Sequence, residues 1–297
     1  MRLPGIHTDD MHILTDHRCL LGEGPVWDAR RKSLFWVDIL QGEIHEYRPS
    51  DGYCHTISVG EYVGAVAPYR DGRLMAALKS GIVLLDPDTG AREAVGHPEA
   101  HLPGNRYNDG KCDPAGRFWV GSMSLQEEPG AGSLYMIDHD WTIIRQLEGV
   151  TISNGLAWSN DHHTMYYIDT PTFEVAAFDY DLSTGAISNR RVAIRIPESD
   201  GYPDGMTIDR EGCLWIAHWD GWQVTRWDPD TGRKLHHLPM PVSRVTSCAF
   251  GGDTGNDLYI TSARTGLSAE ELEQTEGAGA VMHVAPEPPL ISAHIRF

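Results

Sequence analysis

Basic residues are scarce in this chain. Lys and Arg number 24 against 42 Asp and Glu, a formal net charge of −18 over 297 residues. Phosphate backbones are held by clustered Lys and Arg, so a nucleic-acid partner is excluded, while the acidic balance is compatible with holding a cation. Cysteine is sparse too: Cys19, Cys54, Cys112, Cys213 and Cys248 are odd in number, far apart and never spaced Cys-x-x-Cys. That pattern argues against a disulfide scaffold and against a structural zinc site. Cys112, Cys213 and Cys248 fall in apolar stretches, where a free Cys packs as a small hydrophobe. No uncharged apolar run approaches the roughly 20 residues of a membrane span. None follows Met1-Arg2-Leu3-Pro4-Gly5 as a secretory signal would. A soluble cytoplasmic protein without a membrane partner is expected. A Gly-x-Ser-x-Gly elbow is missing as well, which leaves a serine triad without support.

What is present is turn residues between short aromatic runs: Gly 31 and Pro 18, placed at regular intervals. This favours an all-β chain. Self-comparison gives a period of roughly 40 to 50 residues, the range of propeller blades. Six units run from Glu23 to Gly52, Val63 to Gly90, Asn108 to Asp140, Asn154 to Gly185, Asp204 to Gly232 and Ser247 to Val284. Each reads strand, turn, strand, short turn, strand, and several add a fourth such as Arg191-Val192-Ala193-Ile194. Pieces such as Val175-Ala176-Ala177-Phe178-Asp179-Tyr180 show the alternation of a half-buried sheet. The expected fold is a six-bladed β-propeller of four-stranded blades. Residues 1–297 are expected to form one domain, its ring closed by an N-terminal strand around His12 to Leu14 in the last blade. One helix is expected at Ser268-Ala269-Glu270-Glu271-Leu272-Glu273, which opens on an N-cap signal with acids in the first turn.

The functional signal is one register position. In Pro203-Asp204-Gly205-Met206-Thr207-Ile208-Asp209, an acid is followed by glycine, a short apolar strand and a turn opened by Asp. Glu23 stands to Asp28, Asn108 to Asp113 and Asn154 to Ser159 as Asp204 stands to Asp209. The second and sixth units put Val63 and Ser247 there. A lone acid before glycine is usually a turn residue. Four in register on the strands that line a propeller channel converge instead. Two carboxylates and two amide carbonyls form a hard-oxygen set suited to Ca²⁺, Mg²⁺ or Mn²⁺, with Zn²⁺ reachable through carboxylates. Gaps at the other blades leave room for water and substrate.

Other candidates carry less. Asp86-Pro87-Asp88-Thr89-Gly90 lacks the closing Glu of a calcium loop and reads as a β-turn. His162-His163 and His236-His237 read as solvated surface. Trp219-Asp220-Gly221-Trp222 reads equally as packing between blades or as a wall over the channel mouth.

Leu21-Gly22-Glu23-Gly24-Pro25, Arg106-Tyr107-Asn108-Asp109-Gly110-Lys111, Ile152-Ser153-Asn154-Gly155-Leu156 and Pro203-Asp204-Gly205-Met206 resemble the senescence-marker-protein, regucalcin and gluconolactonase family. Phe178-Asp179-Tyr180-Asp181, Ser188-Asn189-Arg190-Arg191 and Ala263-Arg264-Thr265-Gly266-Leu267 match it too, so the resemblance runs in order through nearly the whole chain. It implies a six-bladed propeller with one divalent cation held by Glu23, Asn154 and Asp204. Ca²⁺ is the expected ion, with Zn²⁺, Mg²⁺, Mn²⁺ or Fe²⁺ as alternatives. Asp204 doubles as the base in this resemblance, and Arg106 and Asn108 bind substrate hydroxyls. An acidic substrate contact aligns on Gln126 directly, or on Glu127 with a one-residue insertion.

The expected activity is metal-dependent hydrolysis of sugar lactones, such as gluconolactone or a pentonolactone, to the aldonic acid. The partner is then a small-molecule sugar lactone. A calcium-binding regulatory propeller, and a phosphoester or other ester hydrolase using the same metal site, are the alternatives.

Overall fold

The structure is a computed structural model and describes residues 11–285; residues 1–10, with the start of the chain discussed above, and 286–297 lie outside it. After β1 (Met11–Ile13) come β2 (Gly22–Asp28), β3 (Ser33–Asp38), β4 (Glu43–Arg48) and β5 (Tyr53–Ser58). The second group is β6 (Val63–Pro68), β7 (Leu74–Leu78), β8 (Gly81–Leu85) and β9 (Arg92–Gly96). The third is β10 (Asn105–Cys112), β11 (Phe118–Ser124), β12 (Gly132–Ile137) and β13 (Ile143–Val150). The fourth is β14 (Ser153–Trp158), β15 (Thr164–Asp169), β16 (Glu174–Tyr180) and β17 (Ile187–Arg195). The fifth is β18 (Tyr202–Ile208), β19 (Leu214–Trp219), β20 (Gln223–Asp228) and β21 (Arg233–Pro239). Last come β22 (Val245–Gly251), β23 (Asp257–Ser262), the helix α1 (Ala269–Gln274) and β24 (Met282–Val284).

Each group folds into a four-stranded antiparallel sheet, six in all, and β1 completes the sixth by pairing with β24. The fold is a six-bladed β-propeller. Strands β2, β6, β10, β14, β18 and β22 neighbour one another around the axis, and β2 meets β22 where the ring closes. The one helix starts at a capping box, with the Ser268 side chain on Glu271 N–H and Glu271 reaching back.

The core lies between blades. Each sheet is covered on both faces by its neighbours, so the second strands are buried throughout, as in β3 and β11. For the same reason the half-buried alternation expected of Val175–Tyr180 is absent: Val175, Ala176, Ala177 and Phe178 are all buried, and only Asp179 reaches solvent. Exposure is confined largely to the outermost strands, as in β5 and β9.

The repeated turn Asp has a structural task. Asp209 Oδ1 accepts the N–H groups of Glu211 and Cys213, and Oδ2 accepts Trp215 Nε1 at 2.9 Å and Arg226 Nε at 2.6 Å. Asp113 does the same with Ala115, Arg117 and Trp119 Nε1. In the first blade Phe35 takes the tryptophan position, and Asp28 Oδ2 is left buried without a partner. The turn at Asp86 closes on its own backbone, with Asp88 and Thr89 N–H on Asp86 Oδ1.

Candidate active site

Every strand that faces the axis is interrupted at one level. The pairing slips between Glu23 and Val26, Val63 and Ala65, Tyr107 and Gly110, Asn154 and Leu156, Pro203 and Met206, and Val245 and Ser247. Each slip is a β-bulge, which bends the strand and re-aims its side chains. Counting back from the residues that pair with Leu34, Leu74, Phe118, Met165, Leu214 and Leu258 places Glu23, Gly64, Asn108, Asn154, Asp204 and Thr246 at one position. The second and sixth blades therefore contribute Gly64 and Thr246, not Val63 and Ser247; their turns open on Tyr69 and Gly251 where the other blades have Asp or Ser, so the sequence offered no marker to count from. Glycine follows the polar residue because the blades touch here. A Cβ on Gly155 would lie 2.9 Å from Asp204 O, and one on Gly205 would lie 2.1 Å from Ser247 Oγ.

Glu23, Asn108, Asn154 and Asp204 are all buried. They form a chain of contacts across blades. Arg106 Nη1 donates to Asn108 Oδ1 at 2.6 Å and to Tyr107 O at 3.0 Å. Asn108 Nδ2 donates to Asn154 Oδ1 at 2.9 Å and to Ser153 O at 2.8 Å. Asn154 Nδ2 donates to Thr170 Oγ1 at 2.8 Å, and that hydroxyl donates to Pro203 O at 2.8 Å. Each amide oxygen accepts one bond and keeps a second lone pair, but Asn108 Oδ1 faces the Arg106 guanidinium, whose charge opposes a cation, whereas Asn154 Oδ1 faces a neutral amide.

The two carboxylates are short of partners. Glu23 Oε2 accepts the N–H of Gly24 at 3.2 Å, and Asp204 Oδ1 is buried without any hydrogen bond. Burial raises the Glu23 carboxyl to about 8, helped by the charge of Asp109 and opposed by the Gly24 N–H and Arg106. Burial also lifts Asp204 well above the usual carboxylate range, with Glu23 and then Asp109 adding to it and Arg106 opposing. Arg106 is drawn down to about 10 by its own burial, against the charges of Glu23, Glu127, Tyr62 and Asp204. Glu127 is exposed, with a left-handed backbone at φ 53, and its charge reaches Arg106. Gln126 is also exposed, and its N–H is bound to Ser124 Oγ.

Asp109 was not legible as a site residue. Its carboxylate is buried, raised by that burial against the pull of Lys111, and it acts on both Glu23 and Asp204. The one available signal was that Asp109 stands where Gly24, Gly155 and Gly205 follow the other three polar residues. Asp109 also lines a cavity of about 740 Å³ that fills the far half of the channel with Lys111, Trp27, Trp158 and Phe250. Glu23, Asn154 and Asp204 do not line that cavity. The Trp219–Trp222 cluster divides: Trp219 lies under the Arg244 guanidinium and packs against the first blade's core, while Trp222 is 49% exposed.

Matching this propeller to known proteins gives a family model described as SMP-30/Gluconolactonase/LRE-like region, over residues 21–264. The chain belongs to that family. It is 40% identical to a protein named Regucalcin from Danio rerio over 266 residues, covering 89% of this chain and 90% of the relative. It is 37% identical over 272 residues to a Bacillus subtilis (strain 168) protein named "Putative sugar lactone lactonase YvrE", covering 92% and 93%. Among solved structures, a calcium-binding regucalcin from Agrobacterium tumefaciens superposes with a TM-score of 0.90 at 30% identity, covering 96% of this chain and 97% of the other.

A divalent cation is what this SMP-30/gluconolactonase family member implies, and the donor set fits one. Two buried carboxylates, one of them with an oxygen that has no partner, and an amide carbonyl with a free lone pair are hard-oxygen donors of the kind that suit such a cation. Asn108, committed to Arg106, sits one step behind. No helix of the described residues is long and apolar enough to cross a membrane.

Proposed function

We propose that this family member hydrolyses sugar lactones with one divalent cation held by Glu23, Asn154 and Asp204. The observation that carries the reading is Asp204: a buried carboxylate whose Oδ1 has no partner, beside Glu23 and within reach of the Arg106 charge. A bound cation would polarise the lactone carbonyl and stabilise negative charge on its oxygen. Asp204 accepts a proton from the attacking water. Arg106, held by Asn108 Oδ1 and Tyr107 O, keeps further N–H donors for the hydroxyls of a polyol ring. Glu127 adds an exposed acceptor over the same guanidinium. Both the relative named for a sugar lactone lactonase and the calcium-binding structure support the reading.

A lactone panel run on protein stripped of metal and reloaded with one cation at a time tests it. Turnover restored by a divalent cation is expected. Cation binding without turnover of any lactone would leave the calcium-binding propeller standing, and faster turnover of phosphoesters would move the substrate class.

A further inference from the structure

A second group of ligand atoms lies outside the channel, where the ring is closed. The connection from β1 in the sixth blade to β2 in the first is pinned along its length. Arg18 Nη1 donates to Thr15 O and His17 O, Cys19 N donates to Gly279 O at 2.8 Å, and Leu20 and Leu21 N–H bind the Asp38 carboxylate. This holds His17 and Cys19 beside the start of β4, which carries Glu43 and His45. The His17 and His45 rings lie 4.0 Å apart, and each Nε2 is 3.7 Å from Glu43 Oε2. His17, Cys19 and His45 place one ligand atom each within 4.8 Å of one another.

Three of these atoms are buried without a hydrogen bond: His17 Nε2, His45 Nε2 and Glu43 Oε2. His45 is 0% exposed. An orphaned buried polar atom is costly, and native structures keep few. The 3.7 Å separations are too long for hydrogen bonds between the atoms themselves. They are near the ~3.4 Å that separates ligands around one tetrahedral zinc, each about 2.1 Å from the ion. His45 Nδ1 lies 2.9 Å from Thr56 Oγ1, the kind of outer contact that gives Nδ1 the proton and leaves the Nε2 lone pair for a metal. Asp38, close by, is already committed: it accepts from Leu20, Leu21, Gln41 N and Gln41 Nε2.

We propose that His17, Cys19 and His45, with Glu43 Oε2 3.7 Å from both imidazoles, form a second metal site, for a borderline transition ion of the zinc class, that staples the ring closure. Two imidazoles and a thiolate do not suit Ca²⁺ or Mg²⁺, whereas the channel offers oxygen alone, so the chain separates two classes of cation. Burial holds the Cys19 thiol protonated in the metal-free chain, and Asp38 and Glu43 add to this, so binding releases its proton. The side chains of His17 and Glu43 are 30% and 24% exposed, which gives the ion a route in. Both ligand pairs are spaced i, i+2, the same-side spacing of extended chain, so a search for Cys-x-x-Cys passes over them.

The test is a zinc titration of metal-stripped protein with Ca²⁺ in excess, read by elemental analysis after gel filtration, with circular dichroism confirming that each variant is folded. One zinc per chain is expected to remain, and zinc should raise Tm in a concentration-dependent way. Substituting Co²⁺ should give tetrahedral visible bands and a near-ultraviolet thiolate band that Cys19→Ser removes. His17→Ala, at a partly exposed position, should weaken zinc retention by about tenfold or more and abolish the Tm gain, while Asp204→Asn in the channel should leave both in place. Zinc lost on Asp204→Asn but kept in His17→Ala belongs to the channel and overturns the proposal, as does retention of no zinc at all.

Discussion

Asn108 donates to Asn154 Oδ1 across 2.9 Å while its own oxygen accepts Arg106 Nη1 at 2.6 Å. Two amides at one register position thus do different work. Asn154 Oδ1 takes its bond from a neutral amide, and Asn108 Oδ1 takes its bond from a guanidinium, so Asn108 couples Asn154 to that charge. Asn108→Ala should still load the cation stoichiometrically, at an affinity about 10–100-fold lower because the ligand loses its orienting partner. Arg106→Ala should leave the cation bound and depress kcat, raise KM, or both. Metal content and kinetics measured together check this; a site that no longer fills in Asn108→Ala would make Asn108 a ligand.

Asp204→Asn isolates the base from the ligand. An amide oxygen should still bind the ion, more weakly, as the proposed role of Asn154 requires. It takes no proton from water. At saturating cation kcat should therefore stay about 10²–10⁴-fold low, the usual contribution of a general base. Full recovery of kcat on adding metal would reduce Asp204 to a ligand.

The carboxylates also set a pH dependence. Glu23 is held near 8 in the folded chain, well above the ordinary carboxylate value of about 4.5. A raised folded value means stability that is full below about 4.5 and lost as the pH rises through about 8. Tm of the metal-stripped protein should fall across that window, and Glu23→Gln should flatten the fall, as should a saturating cation, which favours the ionised form. Calorimetry at a series of pH values decides it: an unchanged slope in Glu23→Gln means the charge of Glu23 is not the cause.

Away from the site, Asp209→Ala should cost about 1–3 kcal/mol, because it takes one of two carboxylates from the buried Arg226, leaving Glu211, and removes the acceptor of Trp215 Nε1. Chemical denaturation measures this. A loss below about 1 kcal/mol would mean that the turn, and not the ion pair, is what Asp209 supplies.

The sequence by itself determined the blades and the residue types of the centre. Period, turn chemistry and strand composition are local properties, and Asp209-Arg210-Glu211-Gly212 states its turn without reference to anything distant. The same is true of Glu23, Asn108, Asn154 and Asp204, because a repeat writes one position over and over. Tertiary structure alone decided which residues share a level and which atoms are left free. Cross-strand pairing puts Gly64 and Thr246 at that level in the second and sixth blades, whose turns open on Tyr69 and Gly251 and so lack the Asp or Ser that marks the register elsewhere. Asp109 joins the carboxylates because its strand faces the same axis, one blade removed from each of theirs, and only the contact between Arg106 and Asn108 sets one amide beside a positive charge and leaves the other clear of it. His17 and Cys19 meet Glu43 and His45 only because the ring closes there. Hydrogen-bond satisfaction and charge coupling are pairwise terms between distant parts of the chain, so they exist only once the blades are packed.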